Sequence, residues 1–335
     1  MEQKDSFVTA MIVVRNEESY IRTAILSLLE QDYPKEKMEL LIIDGQSTDR
    51  TVEVAKQTVA DWSAQGKSIS VRYLENPKRI LAAGWNLGIR EAKGQFVVRI
   101  DAHSQADPRL ISHGVELLNS KPDVVCVGGR LEARTLTPRG RVISYIQSSP
   151  FGVGNSKFRY ATQSGYVDTA AYGVYRKSIF EQAGYFNEEF VRNQDNDMHG
   201  RIKDCGGKFY LDATLNSIYH PRETIKGMMK QGFGNGKWTV IGWRKSVSKQ
   251  GISLRHLIPL FFVLANLVLV LGGAVLPLFR WGLLALYVLY FGLAVYFSVQ
   301  KTRNLSEIAL MCAGFWLFHI SYGWGSLSEM IHLNK

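Results

Sequence analysis

The chain has 335 residues, a length that suggests about two domains. Hydrophobic residues make up 46% and charged residues 21%, which excludes a disordered chain. With 40 Lys and Arg against 30 Asp and Glu the net charge is +10, and three cysteines, Cys126, Cys205 and Cys312, provide neither a disulfide framework nor a zinc spacing, so they read as core or membrane residues.

The apolar run 7–14 is too short for a secretory signal and lacks a cleavage site, so residues 1–256 are expected to stay on the side of synthesis. The same run predicts a buried strand ending at Arg15-Asn16-Glu17. Ile21, Ile25, Leu28 and Leu29 then share one helical face. MELLIID, 38–44, predicts a second strand, and a helix over about 50–64 follows, with Ser47 or Thr48 as its expected cap. A third strand is predicted at 69–74, a helix at about 80–92 and a fourth strand, QFVVRID, at 95–101. Asp107-Pro108 is expected to open another helix, with proline in its first turn. Strands alternating with helices predict an α/β fold with a mostly parallel sheet and right-handed crossovers. In such sheets ligands bind at the carboxyl ends of the strands. Three strands end there on polar clusters: Arg15-Asn16-Glu17, Asp44-Gly45-Gln46-Ser47 and Asp101-Ala102-His103. No GxGxxG or GxxxxGK[ST] occurs, so a glycine-loop phosphate site is unsupported and a metal ion is the expected phosphate holder.

The tail differs. Residues 257–279 and 281–300 carry no charge, and 308–328 carries only His319. Each is long enough to cross hydrocarbon, with Trp281, Tyr322 and Trp324 as interfacial anchors. The expected spans are about 257–279, 281–300 and 306–328. Residues 222–256 hold eight Lys or Arg against the single acid Glu223, a net charge of +7. Positive flanks stay cytoplasmic, which places the catalytic part and Lys301 and Arg303 inside and the C-terminus outside. This cationic stretch suits anionic lipid headgroups; no element for reading nucleic acid is found.

Five motifs in order carry a resemblance: V-V-R-N-E-E (13–18), I-I-D-G-Q-S-T-D (42–49), the N-L-G turn (86–88), V-R-I-D-A-H (98–103) and N-Q-D-N-D (193–197). Together they resemble the family-2 glycosyltransferases, which implies the nucleotide-diphospho-sugar transferase (GT-A) fold. V-D-T-A-A-Y-G-V-Y-R (167–176) and Q-G-F-G-N-G-K-W (231–238) are similar to the bacterial subgroup that includes the succinoglycan-synthesis glucosyltransferase. The implied organisation is a GT-A domain over 1–221, a basic interfacial segment over 222–256 and an all-α transmembrane segment over 257–335.

The resemblance implies roles residue by residue. Asp44 would contact the uracil or ribose of the donor, as a carboxylate accepting from ring N–H or hydroxyl groups; a second reading has it starting an Asx turn. Glu17 would be a similar contact, or else a first-turn helix acid. Asp101 would hold Mn²⁺ or Mg²⁺ against the donor diphosphate. His103 stands where the family's second Asp does, and imidazole suits Mn²⁺ better than Mg²⁺. Asp195 maps to the general base, against an alternative in which it caps its helix with Asp197 in the first turn. The 231–238 run lacks the Q-x-x-R-W spacing of processive members.

The functional expectation is an inverting, metal-dependent transferase. It would move one sugar from a nucleotide-diphosphate donor, expected to be UDP-linked, to a lipid-linked saccharide in surface-polysaccharide assembly, with membrane lipids and other assembly proteins as partners. Alternatives are a processive polysaccharide synthase, a polyprenyl-phosphate glycosyltransferase and a non-catalytic nucleotide-sugar-binding membrane subunit.

Overall fold

A computed structural model describes residues 6–154, 156–248, 250–251 and 254–332. Lys249, one of the eight cations of the basic stretch, lies outside the described residues. The chain runs β1 (Val8–Val14), α1 (Ile21–Leu29), β2 (Met38–Asp44), α2 (Thr51–Ser63), β3 (Ser70–Glu75), α3 (Leu81–Glu91), β4 (Phe96–Asp101) and β5 (Ser104–Gln105). It continues through α4 (Leu110–Ser120), β6 (Val124–Ala133), α5 (Pro138–Gln147), α6 (Pro150–Val153), β7 (Gly165–Val167), β8 (Val174–Arg176), α7 (Ser178–Ala183), α8 (Gln194–Asp204) and β9 (Lys208–Tyr219). Four long helices end it: α9 (Ile225–Lys245), α10 (Ile258–Gly273), α11 (Pro277–Val299) and α12 (Leu305–His332).

Two compact units result. One comprises the residues through Ala133 together with Ala161–His220; the other comprises Arg134–Tyr160 and the residues from Pro221 onward. Residues 134–160, α5 and α6 among them, thus group with the C-terminal helices, which a single boundary at 221 does not provide for. Val142, Ile143 and Ile146 of α5 pack in one apolar cluster with Met311, Phe315 and Phe318 of α12, so these residues find their core there.

The first unit carries a sheet in the order β3-β2-β1-β4-β8-β6-β9-β5, with β7 beside β9. The β3-β2-β1-β4 half is parallel, as the alternation predicts, whereas β8, β5 and β7 pair antiparallel. β1 and β2 are buried almost throughout and apolar within but for Thr9 and Glu39, which bond each other at 2.8 Å, because a parallel sheet is covered on both sides. α3 lies close against them: a Cβ on Gly88 would come within 2.6 Å of Ile43 and 2.8 Å of the Met11 sulfur. Asn86-Leu87-Gly88 is accordingly helix, not the turn the motif suggests.

Other local expectations are corrected. Arg50, not Ser47 or Thr48, occupies the N-cap of α2, because Ser47 and Thr48 are spent on Asp44 and Asn16. α4 starts at Leu110, and Pro108 precedes it, because Asp107 turns back to accept from the Arg109 and Asn216 amides. Cys205 is exposed at the end of α8, whereas Cys126 and Cys312 are buried as expected.

Among the described residues of the second unit three helices are long and apolar enough to cross a membrane: Arg255–Gly273, Pro277–Val299 and Leu305–His332. The boundary between the first two falls earlier than expected, because Pro277 takes the first position of α11.

Candidate active site

Register places the acidic residues. Val14 of β1 pairs with Asp44 of β2, and Val13 pairs with Asp101 of β4. The two carboxylates therefore end neighbouring strands on either side of β1, at the carboxyl edge of the sheet. Of the six non-glycine residues with positive φ among the described residues, Asn16, Gln46 and Arg79 lie in the loops leaving β1, β2 and β3, Tyr172 bonds Asp101 and Asn193 caps α8. Such strain persists only where surroundings enforce it, and it concentrates at functional sites.

Asp44 takes the Ser47 amide on both oxygens, at 3.2 and 3.1 Å, and the Ser47 hydroxyl at 2.6 Å. The Asx-type turn is thus present, and it fixes the Asp44 carboxylate at the sheet edge. Gln46 bridges Arg79 (2.6 Å) and Glu75 (2.7 Å), tying the second loop to the third. Glu17 precedes α1 and is not a first-turn helix acid. Its backbone amide donates to Thr51 at 2.7 Å, and its carboxylate lies 3.6 Å from His103 Nδ1.

Asp101 accepts from the Tyr172 hydroxyl at 3.2 Å. Burial pushes its carboxyl above the usual range, His103 and Arg99 oppose that, and Asp195 adds to it. Asp101, His103, Asp195 and Arg99 thus share one electrostatic neighbourhood. Among the described residues no cluster of three or more His, Cys, Asp or Glu forms a closed metal cage. Two donors at one strand end, the Asp101 carboxylate and the His103 imidazole, instead fit a divalent ion that takes its remaining ligands from phosphate.

Asp195 is the second residue of α8; Asn193, with φ of 58°, holds the N-cap. The capping alternative for Asp195 is therefore corrected. Asp197 is buried and taken by Arg201 at 2.7 and 3.0 Å, so it holds the helix together. Asp195, by contrast, is 44% exposed and pairs with the Arg99 guanidinium. Arg99 is only 7% exposed. It lies over the rings of Trp85 (5.1 Å), Phe186 (5.2 Å) and Tyr175 (5.8 Å). Burial works against its charge, but Asp195 leads the neighbours that hold its pKa above the usual arginine range. Asn86 secures this cage, exchanging hydrogen bonds with the Phe186 backbone at 2.9 and 2.8 Å. His199 of α8 meets Thr169 at 2.7 Å and the Tyr175 hydroxyl at 3.0 Å, and burial lowers its pKa to about 3.

Arg99 is the neighbour of Asp195 that motif reading missed. Its signal was a lone charge in an otherwise apolar buried strand, which has to be paired. Residues two apart on a strand face the same side, so Arg99 and Asp101 project together. Tyr172 had no such signal.

The comparisons agree with this geometry. The profile of glycosyl transferase family 2 matches residues 9–184. A Methanococcus voltae protein, dolichyl N-acetyl-α-D-glucosaminyl phosphate 3-β-D-2,3-diacetamido-2,3-dideoxy-β-D-glucuronosyltransferase, is 28% identical over 95% of this chain and 96% of its own. The succinoglycan biosynthesis protein ExoA of Rhizobium meliloti is 25% identical over 96% of this chain and 94% of its own. Among solved structures, the mannosyltransferase PcManGT from Pyrobaculum calidifontis, in complex with GDP-Man and Mn²⁺, shares the fold with a TM-score of 0.61 at 18% identity, over 95% of this chain and 87% of that one. With the profile spanning just over half its length and the parallel sheet ending on Asp44 and Asp101, the chain belongs to glycosyl transferase family 2 and has the GT-A fold.

Proposed function

We propose that the protein transfers a single sugar, with inversion, from a UDP-sugar to a lipid-linked saccharide on the cytoplasmic side of a membrane, in the assembly of a surface polysaccharide. The observation that carries the chemistry is the meeting of Asp44, Asp101 and Asp195 around one sheet edge, with Asp195 exposed enough to reach an acceptor. The lipid-linked acceptor is supported by the name of the Methanococcus voltae relative, the surface polysaccharide by that of the Rhizobium relative, and both by the apolar C-terminal helices. The cytoplasmic side is supported by the basic stretch ahead of them.

Asp195 takes the proton from the acceptor hydroxyl as its oxygen bonds to the anomeric carbon. The bond from that carbon to the diphosphate breaks on the opposite face, and the nucleoside diphosphate leaves. Asp44 and Glu17 orient the nucleoside. Asp101, with His103, would hold a Mn²⁺ or Mg²⁺ that neutralises the leaving diphosphate. Arg99 holds the Asp195 carboxylate in place.

The test is detergent-purified protein, a panel of UDP-sugars and polyprenyl-linked saccharide acceptors, followed by mass spectrometry. The expected product carries one added sugar, and excess EDTA stops its formation. A ladder of products would favour the processive alternative. Donor binding without transfer to any acceptor would favour the non-catalytic one.

A further inference from the structure

α12 is the longest helix of the chain, yet it is the least suited to stand in lipid. Its centre is enclosed. Gly314 meets Ile146 of α5, Phe315 meets Phe151 of α6, Gly323 meets Pro259 and Val263 of α10, and Gly325 meets the backbone of α9 at Phe233. α9 runs parallel to it in near backbone contact: Met228 lies by Gly314, Gly232 by Phe318 and Ser321, and Gly236 by Tyr322 and Ser326. A Cβ on Gly236 would fall 1.9 Å from the Tyr322 carbonyl oxygen, so only glycine admits this approach. Lys230, exposed on α9 between Met228 and Gly232, therefore stands level with the middle of α12. If α12 crossed the bilayer, Lys230 would cross at mid-depth, where an ammonium group is costly.

The other two apolar helices form a hairpin. Leu269 lies against Gly282, Asn266 bonds Tyr287 at 2.8 Å and Phe262 stacks on Tyr290 at 4.7 Å. α12 meets the hairpin toward its open end, passing from Pro259 at the start of α10 to Ser298 at the end of α11. Along it, Gly323 touches Pro259 and Val263, Trp316 reaches Tyr287, and Cys312 reaches Ser298. From Cys312 to His319 the contacts run back along α11 from Ser298 to Tyr290, whereas Gly323 lies over Pro259 and Val263 at the start of α10, so α12 passes obliquely from one arm to the other. The far half of the hairpin presents exposed Leu271, Val275, Leu278 and Trp281. The ends of α12 are held by charge, with Glu307 paired to Arg141 and Glu329 to Lys237 at 3.4 Å.

We infer that only the α10–α11 hairpin enters the hydrocarbon, and that α12 lies with α9 along the membrane surface across the hairpin's open end. This inference rests on the reading that the apolar helices insert in a membrane, and it replaces the third span expected over 306–328. The lipid surface is the partner of the α9–α12 pair: Lys226, Lys230, Arg244 and Lys245 are exposed on α9, and Trp243 is exposed beside the last two. Both ends of α12 then face the same side of the membrane.

Single thiols at Leu305→Cys, Ala274→Cys and His332→Cys, in a Cys205→Ser background of the full chain, test this with an impermeant maleimide in intact and permeabilised cells. All three positions are exposed. The inference expects Leu305→Cys and His332→Cys to label from the same side, with Ala274→Cys at the hairpin tip labelling from the other. Labelling of Leu305→Cys and His332→Cys from opposite sides overturns it and restores the third span. If all three label alike and the protein washes off membranes in carbonate, the underlying membrane reading has failed and the inference with it. Each variant's donor binding shows that it is folded.

Discussion

In the sheet-bearing unit a full charge is buried: Arg99, 7% exposed, is caged by Trp85, Phe186 and Tyr175 and answered by Asp195. In the helical unit the buried polar groups are neutral and answer one another. Tyr290 bonds His319 at 2.8 Å, Thr239 bonds Tyr322 at 2.7 Å and Ser326 donates to the Gly236 carbonyl at 3.0 Å, while the ion pairs of α12 sit at its ends. Neutral pairs are the economical way to join apolar helices, since they cost little desolvation. A buried cation is expensive and adds little net stability against an apolar substitute. Folding gains little from such a cation, whereas the proposed role of Asp195 as base has a use for it.

The strongest test of that contrast is Asp195→Asn. The amide still accepts from Arg99 but cannot take a proton, so single-turnover transfer should fall by about 10²–10⁴. Calorimetric UDP binding on the same preparation should survive, because Asp44 and Asp101 are untouched. Near-normal transfer would return Asp195 to a structural role.

Arg99→Met is more discriminating. An unbranched apolar chain fits the aromatic cage, so the melting temperature should hold. Turnover should fall about 10²-fold through misplacement of Asp195, with little change in donor KM. Unchanged turnover would make the pair a folding device like those of the helices.

His199 sharpens the comparison within the sheet-bearing unit. Its pKa is about 3 when folded against 6.5 ordinarily, so the unfolded chain binds a proton that the folded one refuses. Stability should therefore fall as pH drops from about 6.5 toward 3, and be fully present above 6.5. His199→Gln should flatten that part of a melting-temperature profile; an unaltered slope would place the acid sensitivity elsewhere.

The smallest effect is expected in the helical unit. Tyr290→Phe removes one neutral hydrogen bond and should cost about 1 kcal/mol, read as a modest shift in thermal unfolding in detergent, with transfer unaffected. A large loss of transfer would show that this network, too, serves the reaction.

Much of this protein could be read in advance. β1, β2 and β4 are predominantly apolar runs, broken within by Glu39 and Arg99 yet buried almost throughout, so composition located them and the polar residues that end them. Asp44, Asp101 and Asp195 were legible because motif spacing survives in the chain. Apolar length likewise announced α10, α11 and α12, since hydropathy is a property of a segment by itself.

Partnership is not such a property, and only the tertiary structure decided it. That Arg99 meets Asp195 depends on strand β4 and helix α8, 96 residues apart, being brought together by the sheet order. That residues 134–160 join the C-terminal helices depends on α5 having an apolar face whose complement lies in α12. That α12 is enclosed while the tip of the hairpin is bare depends on glycines admitting α9 to its surface. A sequence records which side chains need burial or a partner; the packing of distant segments selects which partner each one finds.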